Sequence, residues 1–191
     1  AGEGAFFYAF PLIGAFVGGD AVAAALALGL YKSEKTALLI DIGTNSEIIL
    51  RARGTLYAAS AAAGPAFEGG GVKCGMTAQN GAIRGVKITG DNLALDVIGG
   101  VAARGICGSG LIEAVSELIK AGLIEKTGRM KNAGEVHTNL SSRVREAPEG
   151  NAVVLFKGPA GEITLSQGDV RSLQTAKAAI RAGIAILLKK A

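Results

Sequence analysis

Three glycine-rich segments carry the side chains whose types and spacing could do chemistry. The sharpest is Leu38–Glu47, in which an apolar strand ends at Asp41 and the turn Gly43-Thr44-Asn45 follows. Glycine lets the backbone approach a ligand closely, so the turn N–H groups and the Thr44 hydroxyl could face a phosphate. Asp41 would face the same point and could hold Mg²⁺ through water, because Mg²⁺ keeps most of its waters. A plain hairpin turn with an aspartate at its mouth is the alternative interpretation.

The second segment is Ala63–Gly71, where glycines lie on both sides of Glu68. Such a loop is expected to press against another part of the molecule, and Gly64 would shape its start. Glu68 could hold a metal-bound water or position an attacking one, which makes it a catalytic candidate beside Asp41. A solvated carboxylate in a flexible loop is the alternative.

The third segment, Gly105–Gly110, opens a predicted helix. The free N–H groups of Gly108, Ser109 and Gly110, together with the positive end of the helix dipole, would favour an anion. The glycine order is GxxGxG and not the dinucleotide order GxGxxG, so a purely structural turn remains open.

Lys177 is the fourth candidate because it falls on the predicted apolar stripe of the last helix, where a charge is unexpected. Either its side chain reaches the surface along that stripe, or it enters a cleft and contacts a nucleotide. The stripe consists of Val170, Leu173, Lys177, Ile180, Ile184 and Leu187.

The elements that must position these residues alternate between strands and helices. Hydrophobic patterns predict three helices: Ala21–Leu30 with Asp20 as its N-cap, Ser109–Ala121, and a last helix that opens on Ser166-x-x-Asp169 and runs towards Lys190. They also predict seven strands: Thr36–Asp41, Ser46–Ala52, Thr55–Ser60, Ala82–Thr89, Asn92–Ile98, Ala152–Phe156 and Glu162–Leu165. The polar stretch 127–151 is predicted to be a surface excursion. Mixed strands with helices between them favour an α/β fold.

Composition limits the classes of protein to be considered. The 191 residues have a net charge of +4, with 5% aromatic residues, and the basic residues are scattered. A nucleic-acid surface is therefore not expected. No positive charge precedes Lys32, and Pro11, several glycines and Asp20 interrupt the apolar start of the chain, so neither a signal peptide nor a membrane span is predicted. Two cysteines without a CxxC pattern are typical of reduced thiols in a cytoplasmic protein.

The motifs, taken in order, resemble the C-terminal nucleotide-binding domain of the reductive activators of corrinoid proteins. That family lies in the ASKHA superfamily, with acetate and sugar kinases, heat-shock chaperones and actin. The resemblance covers nearly all of 1–191 except the excursion. It is carried by VGGD, LLIDIGTNSEIIL, AAGPAFEGGG, GAIRGVKI, GICGSGLIEAVSELIKAGLI and LSQGDVRSLQTAKAAIRAGIAILL.

The resemblance implies a ribonuclease-H-like α/β layer with a mixed central sheet, whose first three strands form an antiparallel meander. It also implies an activity. Such activators use ATP and Mg²⁺ to drive the one-electron reduction of an inactive cob(II)amide to cob(I)amide on a corrinoid protein. The partner would be a corrinoid iron–sulfur protein or a corrinoid methyltransferase subunit. The electron enters through an iron–sulfur cluster, expected here only on a missing N-terminal or neighbouring domain, because this chain has no cysteine cluster.

Carried over by position, Asp41, Gly43, Thr44 and Asn45 resemble a phosphate-binding hairpin of that superfamily. Gly64, Glu68, Gly108, Ser109 and Gly110 resemble other glycine-rich turns of the family, and Lys177 resembles a lysine in its AKAAI helix. One hairpin of the DxGT type is present where the superfamily cleft has two, so the chain resembles the second half of an actin-like ATPase domain.

Three alternatives stay open at this point. The chain could belong to another actin-like ATPase activator, such as one that serves a radical dehydratase, or to a small-molecule kinase. It could also be a non-catalytic module that docks a partner. A half-site would leave a large apolar face uncovered, so a homodimer is an additional expectation.

Overall fold

The computed structural model describes residues 4–6, 8–159 and 161–191. The backbone divides into two compact units. The first unit contains the chain up to Ala63 together with Ala178–Ala191, and the second unit is Gly64–Lys177.

The first unit is built on an antiparallel meander that follows directly from the sequence. Its apolar runs form three strands in the order β1-β2-β3, and a helix precedes them. The elements are α1 (Gly19–Ala27), β1 (Ala37–Asp41), β2 (Asn45–Ala52) and β3 (Thr55–Ala62). The three predicted strands are therefore confirmed to within two residues at each end. The β1–β2 register places Asp41 opposite Glu47, and Glu47 in turn lies opposite Ser60 of β3.

One expectation about α1 is wrong. The N-cap is Gly18 in an extended conformation, and Asp20 lies inside the first turn, where its carboxylate accepts the Ala21 N–H at 2.8 Å. Aspartate is favoured both at the N-cap and in the first helical turn, because both positions face unpaired N–H groups and the positive end of the dipole. The residue type therefore does not distinguish these neighbouring positions.

Apolar packing in the first unit joins α1 to the meander. A buried cluster contains Val17, Ala21, Ala25, Leu30 and Ile49, with Leu39 and Ala58 packed against it. Ile48 and Leu50 of β2 are also buried. The middle strand of the meander is therefore the best protected element of this unit.

The second unit contains two further sheets. In the first, β4 pairs antiparallel with β5 and parallel with β6, and in the second β7-β8-β9 is antiparallel. The strands are β4 (Ala82–Thr89), β5 (Asn92–Val97), β6 (Gly105–Ile106), β7 (Val144–Arg145), β8 (Ala152–Gly158) and β9 (Gly161–Ser166). The helix α2 (Gly108–Lys120) follows β6, and α3 (Gln167–Lys190) begins in this unit and ends in the other.

The core of the second unit packs α2 against β4 and β6. The hydrophobic pattern predicts an apolar stripe on this helix that consists of Leu111, Ile112, Val115, Leu118 and Ile119. Leu111 and Leu118 are buried, but Ile112 is exposed, and Ala114 takes the inward position. Ala114 was overlooked because a small side chain contributes little to a hydrophobic pattern, although it suits a close helix–sheet contact.

The stretch 127–151, expected to be a surface excursion, contributes side chains to the same core. Met130, Val136, Leu140 and Val144 are buried in it. These apolar residues are widely spaced among polar ones, so the segment has no helical or strand period that would reveal its inward face. It contains short 3₁₀ turns at Ala133–Glu135 and Asn139–Arg143.

No helix in the described part of the chain is both long and apolar enough to cross a membrane.

Candidate functional site

The hairpin between β1 and β2 is fixed by a side chain that the sequence did not single out. Ser46 is fully buried. Its hydroxyl donates to the Gly43 carbonyl at 3.1 Å and lies 3.4 Å from the Gly43 nitrogen, whose N–H it can accept. The Ser46 hydroxyl thereby contacts both the N–H and the carbonyl of Gly43 and closes the turn. The exposed side chains of Asp41, Thr44 and Asn45 project from this fixed frame.

A second carboxylate lies beside Asp41. Because Glu47 is its direct cross-strand neighbour, both side chains leave the same face of the meander, with Cβ atoms about 4.5–5.5 Å apart. Ser60, the next residue along that row, donates its hydroxyl to Glu47 at 3.3 Å. Two like charges directly opposite each other are unfavourable unless a cation lies between them. The two carboxylates therefore fit a divalent ion that keeps several waters, such as Mg²⁺.

No group of three or more histidine, cysteine, aspartate or glutamate side chains that could hold a metal ion occurs among the residues the structure describes. A cation at Asp41 and Glu47 would thus depend on water or ligand oxygens for most of its coordination.

Glu68 ends a short 3₁₀ turn, Pro65–Glu68, at the start of the second unit. Gly64 precedes the turn at φ 78° and ψ 171°, a conformation that side chains other than glycine rarely adopt. The glycine identity at 64 is therefore explained by the backbone. The Glu68 side chain is exposed.

The turn at Pro65–Glu68 packs against the beginning of α2. A Cβ added at Gly108 would overlap the Phe67 carbonyl oxygen, and one added at Gly110 would overlap the Ile83 carbonyl oxygen. The GxxGxG pattern is therefore required for close backbone packing. This packing brings the Gly64–Glu68 and Gly108–Gly110 segments, which the sequence treated as separate signals, into contact.

The first turn of α2 has no side-chain cap, since its N-cap residue is Cys107. Ser109 donates its hydroxyl to the Arg84 carbonyl at 3.0 Å, which ties the helix start to β4. The Cys107 thiol is buried and lies 3.4 Å from the Ile83 carbonyl, to which it can donate. The Ser109 side chain is thus used in packing, so an anion at this helix end would be bound by backbone N–H groups.

Lys177 does not lie on the buried stripe of α3, so that expectation is wrong. Ala176 is fully buried in its place, and Lys177 is exposed. Along α3 the buried positions include Val170, Ala176, Ile180, Gly183 and Leu187. Val170, Ile180 and Leu187 are buried as predicted, but Ala176 and Gly183 take the inward positions that were assigned to Lys177 and Ile184, because small residues were not counted as apolar anchors. The Lys177 ammonium is free to meet solvent or a ligand.

Two contacts between glutamates of α2 and the backbone of β4 were not predicted from the sequence. Glu113 and Glu117 lie four residues apart on α2 and accept the backbone N–H groups of Val86 and Ile88 at 3.0 and 2.9 Å. Glu117 is also bonded to Lys120 at 2.7 Å. The Ile88 N–H first and the Lys120 ammonium second lower the pKa of Glu117. These carboxylates cover the edge of β4 that β6 leaves unpaired, which is a structural task.

Residues 35–191 match the family model described as the C-terminal domain of RACo, the ASKHA domain. The chain belongs to this family. Its fold is the α/β, ribonuclease-H-like fold of the actin superfamily, as the sequence predicted.

Named relatives agree with this assignment. The corrinoid activation enzyme RamQ of Eubacterium limosum is 38% identical over 183 residues, covering 93% of this chain and 30% of the relative. The [Co(II) methylated amine-specific corrinoid protein] reductase of Methanosarcina barkeri is 35% identical over 144 residues, covering 64% of this chain and 27% of the relative.

A solved structure, described as a reductive activator for corrinoid, iron–sulfur protein, superimposes with a TM-score of 0.85 at 38% identity. The alignment covers 96% of this chain and 29% of that protein. The chain therefore spans about 30% of the length of the relatives it matches.

Proposed function

We propose that this chain is part of an ATP-dependent reductive activator that returns an inactive cob(II)amide corrinoid protein to cob(I)amide. The observation that carries the proposal is the family match over 35–191, which contains the Asp41–Glu47 hairpin. The names of the two relatives and of the solved structure support the same class of activity. A cob(I)amide is a strongly reducing state, so ATP would supply the free energy that ordinary electron donors lack.

In this proposal the chain supplies part of a nucleotide site. The N–H groups of the turn at Gly43 and Thr44 would donate to phosphate oxygens, and the turn would keep its shape because Ser46 closes it. Asp41 would hold the waters of Mg²⁺, with Glu47 beside it. Mg²⁺ bound there would neutralise the charge of the phosphates. Asn45, at the start of β2, would border the same phosphates.

The remaining predicted residues have subsidiary roles. Glu68 would orient the attacking water, and the N-terminus of α2 at Gly108–Gly110 would stabilise negative charge through its backbone N–H groups. Gly64 would set the direction of the turn that ends at Glu68. Lys177 would contact the adenosine part of the nucleotide.

In this proposal the electron donor and the corrinoid protein are separate from this chain. An iron–sulfur cluster on another domain would deliver the electron. The partner would be a corrinoid iron–sulfur protein or a corrinoid methyltransferase subunit, and this chain would supply part of the docking surface. The exposed apolar side chains of the first unit, among them Leu12, Phe16 and Leu28, would also allow a homodimer.

Calorimetric titration of Mg-ATP into the wild-type chain tests the nucleotide step. We expect measurable binding that Asp41→Asn weakens by about tenfold or more, with little change in the urea midpoint of unfolding, because Asp41 is exposed. Asp91→Asn is the matched control, since Asp91 is also an exposed aspartate at a hairpin turn.

Absence of Mg-ATP binding to the wild-type chain would count against nucleotide binding by this part of the protein and favour a docking module. Equal losses of affinity and stability in Asp41→Asn would remove the proposed role of Asp41.

A further inference from the structure

The loop that follows Glu68 is held by a buried carboxylate on a distant element. Asp169, in the first turn of α3, is only 2% exposed. One carboxylate oxygen accepts the N–H of Ser166 at 2.8 Å, and the other accepts the N–H of Lys73 at 2.8 Å. Lys73 precedes Asp169 by 96 residues, so the second bond is a tertiary contact.

The first of these bonds belongs to helix capping. The Ser166 hydroxyl accepts the Asp169 N–H at 3.2 Å while Asp169 accepts the Ser166 N–H, which completes a reciprocal capping box. The cap needs one carboxylate oxygen. The other oxygen is left to hold the loop, and a carboxylate is the side chain of this size that can accept at both positions.

The loop that Asp169 holds is closed on itself beside Glu68. A Cβ on Gly75 would overlap the Gly69 carbonyl oxygen, so the two ends of the loop touch. Its far end is fixed by the Met76 N–H, which donates to the Ile106 carbonyl at 2.9 Å. Its middle is fixed by the Lys73 bond and by the buried side chain of Val72. A shift of the middle would therefore move the residues directly after Glu68.

We propose that Asp169 is a positioning residue of the nucleotide site, which fixes the 69–76 loop and thereby sets the place of Glu68. This inference rests on the proposed function. It gives the buried carboxylate at the start of α3 a task beyond capping.

Two variants separate the two tasks of Asp169 in the intact chain. Asp169→Asn keeps the size of the side chain but has one acceptor oxygen, so it cannot satisfy both the Ser166 and the Lys73 N–H groups. Ser166→Ala removes the hydroxyl of the capping box and leaves both carboxylate oxygens in place. Both variants are expected to lower the urea midpoint, because each removes one hydrogen bond at the start of α3.

Amide hydrogen exchange and Mg-ATP calorimetry then show whether the loop and the nucleotide affinity depend on the bond from Lys73 to Asp169. We expect Asp169→Asn to accelerate exchange at residues 71–76 and to weaken Mg-ATP binding, each by about tenfold, while Ser166→Ala leaves both at wild-type values. Wild-type exchange in the loop, unchanged affinity in Asp169→Asn, or equal loss of affinity in Ser166→Ala would overturn the proposal.

A third variant covers the case in which Asp169→Asn does not fold. The α-hydroxy analogue of lysine, introduced at position 73 by nonsense suppression, replaces only the N–H with an ester oxygen. It should reproduce the loss of affinity with α3 unaltered, and wild-type affinity would overturn the proposal. If the wild-type chain binds no Mg-ATP, the proposed function fails and the nucleotide role of Asp169 fails with it. Loop exchange in Asp169→Asn still shows whether the carboxylate holds the loop.

Discussion

At the scale of single residues, a buried hydroxyl controls the hairpin that presents Asp41. Ser46 has no exposed surface and contacts both the nitrogen and the carbonyl of Gly43. Serine was not noticed in the sequence because it lies inside an apolar strand and lacks a charge. Its burial and its two contacts show that an uncharged residue inside a strand can fix the shape of a hairpin turn.

Ser46→Ala should therefore lower stability by about 1–2 kcal/mol, because the Gly43 polar groups lose a buried partner. It should also weaken Mg-ATP binding by loosening the turn. Urea unfolding and calorimetry measure the two effects. Ser60→Ala is the matched control, since Ser60 is only partly buried and makes a single bond of 3.3 Å to Glu47. Wild-type stability in Ser46→Ala would show that water replaces the hydroxyl.

A substitution at Lys177 should change Mg-ATP affinity without changing stability, whereas Ser46→Ala is expected to change both. Its side chain is exposed and lies in a helix, so Lys177→Ala should change the free energy of unfolding by no more than about 0.5 kcal/mol. If the ammonium contacts the nucleotide, Mg-ATP affinity should fall several-fold. Lys189→Ala, at another exposed position of α3, controls for the loss of a positive charge. Unchanged affinity in Lys177→Ala would remove the adenosine contact.

At the scale of elements, backbone-to-backbone packing joins the turn at Pro65–Glu68 to the first turn of α2. Gly108→Ala should destabilise the chain by about 1–3 kcal/mol, because the new methyl group would force the Phe67 carbonyl away. Gly168→Ala is the matched control: its Cβ would meet its nearest neighbour at 3.6 Å, so the variant should be neutral or slightly stabilising. Thermal unfolding of both variants tests this, and equal melting temperatures would contradict the packing argument.

At the scale of the whole molecule, several carboxylates respond to acid in the same direction. The guanidinium of Arg129, followed by the Asn132 N–H, lowers the pKa of Glu135 from 4.5 to about 2. Arg129 also lowers the pKa of Glu125, and Arg145 followed by Lys157 lowers that of Glu162. Each of these groups binds protons more weakly in the folded than in the unfolded chain.

Their contribution to stability is therefore fully present above pH 4.5 and is lost as the pH falls towards 2. We expect the urea midpoint to decrease across this window, and less steeply in Arg129→Gln, which removes the partner of two carboxylates. Arg181→Gln, at an exposed position of α3, should keep the wild-type slope. Equal slopes in both variants would contradict the assignment, and high salt should flatten the wild-type profile because these groups are partly exposed.

Local patterns were sufficient for most of the elements. The meander, the β4–β5 hairpin and α2 appear within two residues of their predicted bounds, because each depends on a continuous apolar run or a helical period with glycine nearby. The Ser166–Asp169 helix start is confirmed by its reciprocal bonds. The short strands β6 and β7 were not predicted, since two residues carry no period.

The sequence by itself determined the family, the α/β class and the hairpin at Asp41, because these follow from the order of residues along short segments. The tertiary structure decided which residues share a face and which polar groups meet. In the structure Glu47 lies beside Asp41, and Lys177 lies outside the buried stripe of α3. The Lys73 N–H donates to the Asp169 carboxylate. Cross-strand register and contacts between distant residues depend on how the backbone folds in space, and no local pattern of residue types records them.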